Sequence, residues 1–254
     1  MCHIKNSKYA EKYFEFQKGG IFMKYIGIVV AMDEEMQEIL NVMTETEVKQ
    51  IYNLRFTIGK IQKRNCVVIK SGIGKVNAAR TTQILIDNFD LDFVINAGAA
   101  GGINYLLDIG DIVIAKHVVQ HDFDITAFGH SKGYITGVGD KIICDRELVS
   151  NFENIIKNMN EKTYNIKTGI VASGDIFCAQ IEMKDKINAK FNADVVDMEC
   201  AAVGQVCYLD DIPFISIRCI SDIPNGKNQT TFDENLKLAS TRCANIINKF
   251  CYIL

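Results

Sequence analysis

Apolar and polar positions along the chain switch between a period of two and a helical period, and the switches mark a repeated strand–helix order. Tyr25-Ile-Gly-Ile-Val-Val-Ala31 is a short, β-branched apolar run of the kind buried in a sheet on both faces. Asp33 follows as an N-cap and opens a helix through about Met43. Two β-rich stretches come next, about 47–59 and 61–70, before Ser71-Gly-Ile-Gly-Lys75 interrupts them. A helix starts near Val76, with Ala78, Thr82, Leu85 and Phe89 at helical spacing along its apolar side. Asp92-Phe-Val-Ile-Asn96 reads as another buried strand, ending in the small-residue loop Ala97-Gly-Ala-Ala-Gly-Gly102.

The second half repeats the order. A β-rich run from Asp111 to His121 leads into 122–141, a long irregular segment with Gly129, Gly133, Gly137 and Gly139. Irregular loops of that length in compact domains tend to be functional. A helix near 146–159, a strand at 166–172, a helix at 181–190 and a strand at 193–197 follow. Glu199 opens a helix with Cys200, Val203 and Cys207 on one side, and Phe214 to Ile220 forms the last strand. The final helix, roughly 233–251, places Leu236, Ala239, Cys243, Ile246 and Phe250 at 3–4 spacing. This order implies a mainly parallel or mixed sheet with helices on both faces. No internal repeat or Pro-rich linker divides the chain, so one domain is expected over 23–254, after a loosely ordered extension at 1–22 or an upstream start preceding Met23.

Composition changes this picture little. The 254 residues are 48% hydrophobic and 23% charged, as in an ordinary soluble protein, and 28 basic against 31 acidic residues give a net charge of −3. No basic field suggests a nucleic acid partner. No apolar run reaches the ~18 residues that span a membrane. The charged first 22 residues are not a secretory signal, which points to the cytoplasm. Nine scattered cysteines without a C-x-x-C pair read as reduced, buried thiols.

In open α/β sheets, ligands bind at the carboxyl ends of strands. The residues after each expected strand are Met32, Asp33, Glu34 and Glu35; Ser71 to Gly74; Gly98 to Gly102; Ser173-Gly-Asp175 with Phe177; Met198 and Glu199; and Arg218 with Ser221 and Asp222. Each has a bland alternative. Acids in a first helical turn favour the macrodipole, and Asp222 after Ser221 caps a turn equally well. Ser71-Gly-Ile-Gly-Lys75 lacks the first Gly and the Ser/Thr of a Walker A loop. His117, His121, Asp122 and Asp124 share one side only loosely on a strand, so no metal or other cofactor is expected.

Taken together, Ile26-Gly-Ile-Val-Val-Ala-Met-Asp-Glu-Glu-Met36, Lys70-Ser-Gly-Ile-Gly-Lys-Val76, Asn96-Ala-Gly-Ala-Ala-Gly-Gly102, Asp124-Ile-Thr-Ala-Phe-Gly129, Ser173-Gly-Asp175, Val196-Asp-Met-Glu199, Arg218-Cys-Ile-Ser-Asp222 and Phe232-Asp-Glu234 resemble the 5′-methylthioadenosine/S-adenosylhomocysteine nucleosidase family. The resemblance runs from about Met23 to the C-terminus, and eight segments in the right order make it specific. It implies a three-layer α/β/α fold of the nucleoside phosphorylase kind, with a mixed central sheet, and hydrolysis of an N-glycosidic bond in methionine salvage.

By the same resemblance, Asp222 is the acid that protonates the purine, with Ser221 orienting it, and Glu35 is the base for water, which Arg218 helps to hold. Glu199 and the Met198 backbone grip the ribose, Phe177 stacks on the purine and the Cys178 backbone reads its edge. The glycine loop, with Ala99 and Gly101, lies beside the reacting centre. Met32, Ile73, Phe128 and Phe232 form a 5′-thioalkyl pocket, and Phe128 reaches the neighbouring subunit's site, which implies a homodimer. Three positions depart from the family pattern: Ala99 stands where Ser is usual, Cys178 replaces an aliphatic residue, and His130 stands where an aromatic is common. Three other readings compete: a phosphate-dependent phosphorylase, a nucleosidase for futalosine-type or aminodeoxyfutalosine nucleosides, and a non-catalytic binding protein or adhesin.

Overall fold

The computed structural model describes residues 24–158, 163–226 and 228–254. The expected extension at 1–22 lies outside them. Ten strands pair into one mixed sheet: β1 (Tyr25–Val30), β2 (Met43–Ile51), β3 (Leu54–Ile61), β4 (Arg64–Lys70), β5 (Leu91–Gly102), β6 (Ile112–Gln120), β7 (Ile142–Ile143), β8 (Ile166–Ser173), β9 (Val195–Asp197) and β10 (Phe214–Asp222). The helices are α1 (Asp33–Leu40), α2 (Lys75–Asn88), α3 (Arg146–Asn158), α4 (Ile181–Phe191), α5 (Cys200–Leu209) and α6 (Asn228–Ile253).

The pattern of each strand explains its place. In β1, Ile26, Ile28 and Val30 pack on one side with Ile39 of α1, Phe152 of α3 and Ile246 and Phe250 of α6. Val29, on the other side, packs with Val67, Val94, Ala78 and Leu85 of α2 and Val203 of α5. A third cluster gathers Val119, Ala172, Val196 and Ile187 beneath α4. Burial on both faces is why β1 and β5 read as unbroken apolar runs.

The strand order is β10-β6-β8-β9-β5-β1-β4-β3-β2, with β10 also paired to β5. The sheet therefore curls back on itself. β5 is parallel to β1 on one side and to β10 on the other, and its last two residues pair antiparallel with β9. The expected loop Ala97–Gly102 is in fact the second half of this strand. Small residues carry no visible period of two, so they read as a turn, whereas here they let three strands crowd against one.

Other boundaries also move. Asp33 is the first residue of α1 and Met32 its N-cap, and the helix stops at Leu40 because Met43 begins a strand. The two β-rich stretches at 47–59 and 61–70 are three antiparallel strands, turned at Tyr52 and Gln62, both at positive φ. β10 runs on through Ser221 and Asp222, and α6 begins five residues earlier than expected, at Asn228.

Phe250 is fully buried and stacks on Phe152 with ring centroids 4.0 Å apart, with Phe93 edge-on at 5.9 Å. Truncating it removes the keystone between α6, α3 and β5. Phe250→Ala should lower unfolding free energy by about 3–5 kcal/mol. Urea denaturation checks this, and a loss under about 1 kcal/mol would contradict the packing described.

Candidate active site

The ends of β1, β5, β9 and β10, with the loops after β4 and β8, enclose a cavity of about 340 Å³. That size suits a small metabolite. Met32, Glu35, Ile73, Ala99, Gly101, Phe177, Cys178, Met198, Glu199, Asp222 and Phe232 all line it. Three expected residues do not. Arg218 and Ser221 lie fully buried behind the wall, and Phe128 stands 82% exposed on a 3₁₀ turn at Thr126–Phe128.

The three acids that open α1 separate sharply. Asp33 and Glu34 face solvent, Asp33 pairing with Lys70 at 2.7 Å, whereas Glu35 is buried. Its carboxylate folds back over the helix start. Oε2 accepts the backbone N–H groups of Ala31 (2.8 Å) and Met32 (3.0 Å), and Oε1 accepts that of Ala99 (2.9 Å). Burial pushes its pKa up, while the Arg218 charge and these three N–H groups pull the other way by favouring the ionised form.

Arg218 reaches beneath β5 because its partner across the strand pair is Gly98. A Cβ on Gly98 would collide with the Glu35 carboxylate and lie 2.7 Å from Arg218 Nη1. The guanidinium Nη2 pairs with Asp197 Oδ2 at 2.6 Å and donates to Asn96 Oδ1. Asp197 Oδ1 accepts from Ser173 Oγ at 2.5 Å, and Asn96 Nδ2 donates to the Val29 carbonyl at 2.9 Å. Arg218 is thus tied to β1, β8 and β9, and its pKa is held above the ordinary arginine value.

Glu199 is the N-cap residue of α5, and its Oε1 accepts the Gly74 N–H at 2.7 Å. Gly74 sits at φ +98°, a left-handed conformation that glycine adopts without strain. Burial, then the neighbouring Asp197 charge, lift the Glu199 pKa to about 7. Asp222 at the end of β10 is 1% exposed, and burial raises its pKa as well. Its supports are side chains: Ser221 Oγ donates to Oδ1 at 2.8 Å, and Asn228 Nδ2 donates to Oδ2 at 2.5 Å. Phe177 meets Phe232 edge-on at 5.9 Å on the apolar wall, while His130 stacks on Tyr134 in the exposed segment.

Sequence reasoning had not assigned roles to Asn96, Asp197, Asn228 or Gly98. Asn96, Gly98 and Asp197 lie inside motifs that carry the family resemblance, so the sequence holds a signal for them. Asn228 carried none, because only the start of α6 brings it to Asp222.

A sequence model of the Phosphorylase superfamily matches residues 25–251. The 5′-methylthioadenosine/S-adenosylhomocysteine nucleosidase of Staphylococcus haemolyticus is 36% identical over 230 residues, covering 90% of this chain and all of that one. The chain belongs to this nucleosidase family. In structure it is similar to the S-adenosylhomocysteine nucleosidase of Streptococcus pyogenes, solved with 5-methylthiotubericidin, with a TM-score of 0.87 and 34% identity over 93% of this chain and 99% of that one. A futalosine hydrolase mutant of Helicobacter pylori superposes with a TM-score of 0.86 and 31% identity, covering 91% of this chain and 100% of that one.

In this nucleosidase fold the close approach at Gly98 sets the Glu35 position. Gly98→Ala should displace the Glu35 carboxylate and lower kcat by roughly 10²-fold, as misplacements of about 1 Å do in an active site. Steady-state kinetics on the folded variant checks this, and unchanged turnover would contradict it.

Proposed function

We propose that the chain hydrolyses the N-glycosidic bond of 5′-methylthioadenosine and S-adenosylhomocysteine, releasing adenine and the thioribose product. The observation that carries this reading is an apolar cavity whose four buried carboxyl groups include two, Glu35 and Asp222, in unlike settings. Glu35 is pushed up by burial, but three backbone N–H groups and a buried arginine charge oppose that push and favour the ionised form that a base needs. Asp222 receives only neutral side-chain donors, and no cation is among the groups that set its pKa, so burial favours its neutral, proton-donating form.

Bond breaking leaves negative charge on the purine and positive charge on the sugar. Asp222 gives its proton to purine N7, and the C–N electrons are retained by a neutral adenine. Glu35 removes a proton from the water that attacks the sugar carbon. Each such step is typically worth about 10²–10⁴-fold. Glu199 accepts the ribose hydroxyls with the carboxylate oxygen that Gly74 leaves free, and the Met198 backbone adds to that grip. Phe177 stacks on the purine, the Cys178 backbone reads its edge, and Met32, Ile73 and Phe232 enclose the 5′ group.

Phosphorolysis would need a basic anion site. Among the described residues lining the cavity none is Lys, Arg or His, and Arg218 is already engaged by Asn96 and Asp197. The exposed Phe128, outside its own cavity, supports a homodimer in which it closes the neighbouring site. The eight cysteines among the described residues are buried and free of disulfides, which supports a reducing, cytoplasmic setting. No helix among the described residues is long and apolar enough to cross a membrane.

Adenine release from methylthioadenosine should proceed at the same rate with and without phosphate, and should fall at least about 10²-fold in Glu35→Gln and in Asp222→Asn. Dependence on phosphate would make the enzyme a phosphorylase, and near wild-type turnover in either variant would remove that residue from the mechanism. Ala99 offers no hydroxyl to the attacking water, so Ala99→Ser should speed turnover roughly fivefold, the worth of a hydrogen bond of about 1 kcal/mol. A slower Ala99→Ser enzyme would contradict that placement of the water.

A further inference from the structure

Asn228, the first residue of α6, is 1% exposed and does not line the cavity. Its amide nitrogen donates twice, to Asp222 Oδ2 at 2.5 Å and to the Cys178 carbonyl at 3.1 Å. The amide orientation follows from these partners. The flipped form would point Oδ1 at the Cys178 carbonyl, acceptor against acceptor. In the orientation found, Oδ1 has no hydrogen-bond partner among the described residues. An orphaned buried acceptor works against folding, and an apolar side chain of similar volume would avoid it. Packing alone therefore does not account for an amide here.

We propose that Asn228 is a positioning residue that fixes Asp222 Oδ2 as a permanent hydrogen-bond acceptor and so directs the acidic proton to Oδ1, while tying the acid to the carbonyl that reads the purine edge. The inference rests on Asp222 being the acid. A neutral carboxyl has one strong acceptor, its carbonyl oxygen, and the 2.5 Å donor identifies that oxygen as Oδ2.

The Ser221 hydroxyl, in contrast, has one proton and two acceptors within reach, Asp222 Oδ1 at 2.8 Å and the Ala100 carbonyl at 3.3 Å. It can turn to Ala100 while Oδ1 holds the acidic proton, and swing to Oδ1 once that proton has passed to the purine. The carboxylate left behind then has a donor on each oxygen. Asn228 therefore stabilises the ionised form of the acid against burial, which makes it a better proton donor. Other groups that face Asp222 do not do this. The Cys178 thiol lies beside it, and Glu35, Asp197 and Glu199 share its cavity, but none is a cation. Arg218 sits four residues back on the same strand, engaged with Asp197 and Asn96.

The test is the pH profile of kcat/KM for Asn228→Leu, which removes the donor at similar volume, and for Asn228→Asp, which keeps the shape but adds a carboxyl. Activity needs Asp222 protonated, so the alkaline limb marks its ionisation. Both variants should move that limb to higher pH, Asn228→Asp the further, and both should lower kcat by roughly tenfold through the lost charge-assisted bond. Thermal unfolding establishes that each is folded, and if Asn228→Leu does not fold, Asn228→Ala, which lacks the donor and adds no charge, takes its place. An alkaline limb that stays in place would overturn the proposal and leave Asn228 a structural residue. Asp222→Asn measured alongside separates the two ideas. If it loses turnover while the limb is unmoved, only the Asn228 role fails; if it keeps turnover, the acid assignment fails and takes this inference with it.

Discussion

The site depends on one buried guanidinium. Arg218 lies beneath β5 in the space that Gly98 leaves, paired with Asp197 and bonded to Asn96. A cation without water must be matched by nearby anions and acceptors, and breaking such a pair by removing one partner typically costs about 3–5 kcal/mol. Three carboxylates answer this one charge. Asp197 takes it directly, while Glu35 and Glu199 feel it at longer range and remain shifted upward by burial. Asp222 is outside this balance. The unequal reach of one cation gives two similar acids unlike settings, and the proposed roles of base and acid rest on that difference.

The curl of the sheet makes that division useful. β1 and β10 flank β5, so Glu35 and Asp222, nearly the whole chain apart in sequence, come to one cavity from either side of a single strand. The small residues of β5 are needed for this closeness. Any side chain at Gly98 would push Glu35 away from the Ala99 N–H that holds it. The fold and the chemistry therefore share one constraint: position 98, between Glu35 and Arg218, has no room for a Cβ.

Much of this was legible in the sequence. The apolar runs of β1 and β5, the 3–4 spacing of α2 and α6, and eight short motifs in order pointed to the layered fold and to Glu35, Glu199 and Asp222. The rest was hidden for physical reasons. A strand of glycines and alanines has no alternation to betray it, so Ala97–Gly102 read as a loop. Three antiparallel strands merged into two stretches because their turns, at Tyr52 and Gln62, use residues that seldom mark a turn. The burial of Arg218 behind Gly98 becomes visible only once β5 and β10 are in register. Asn228 depends on the start of a helix, the least readable kind of boundary.

The central claim is that two buried carboxyls in one cavity carry opposite protonation at neutral pH. Infrared difference spectroscopy of the resting enzyme reads this directly through the carboxylic acid C=O stretch. With Glu199 replaced by Gln to silence its own band, a protonated-carboxyl band should remain at neutral pH that Asp222→Asn removes and Glu35→Gln leaves in place. A band lost in Glu35→Gln and kept in Asp222→Asn would reverse the roles and contradict the account.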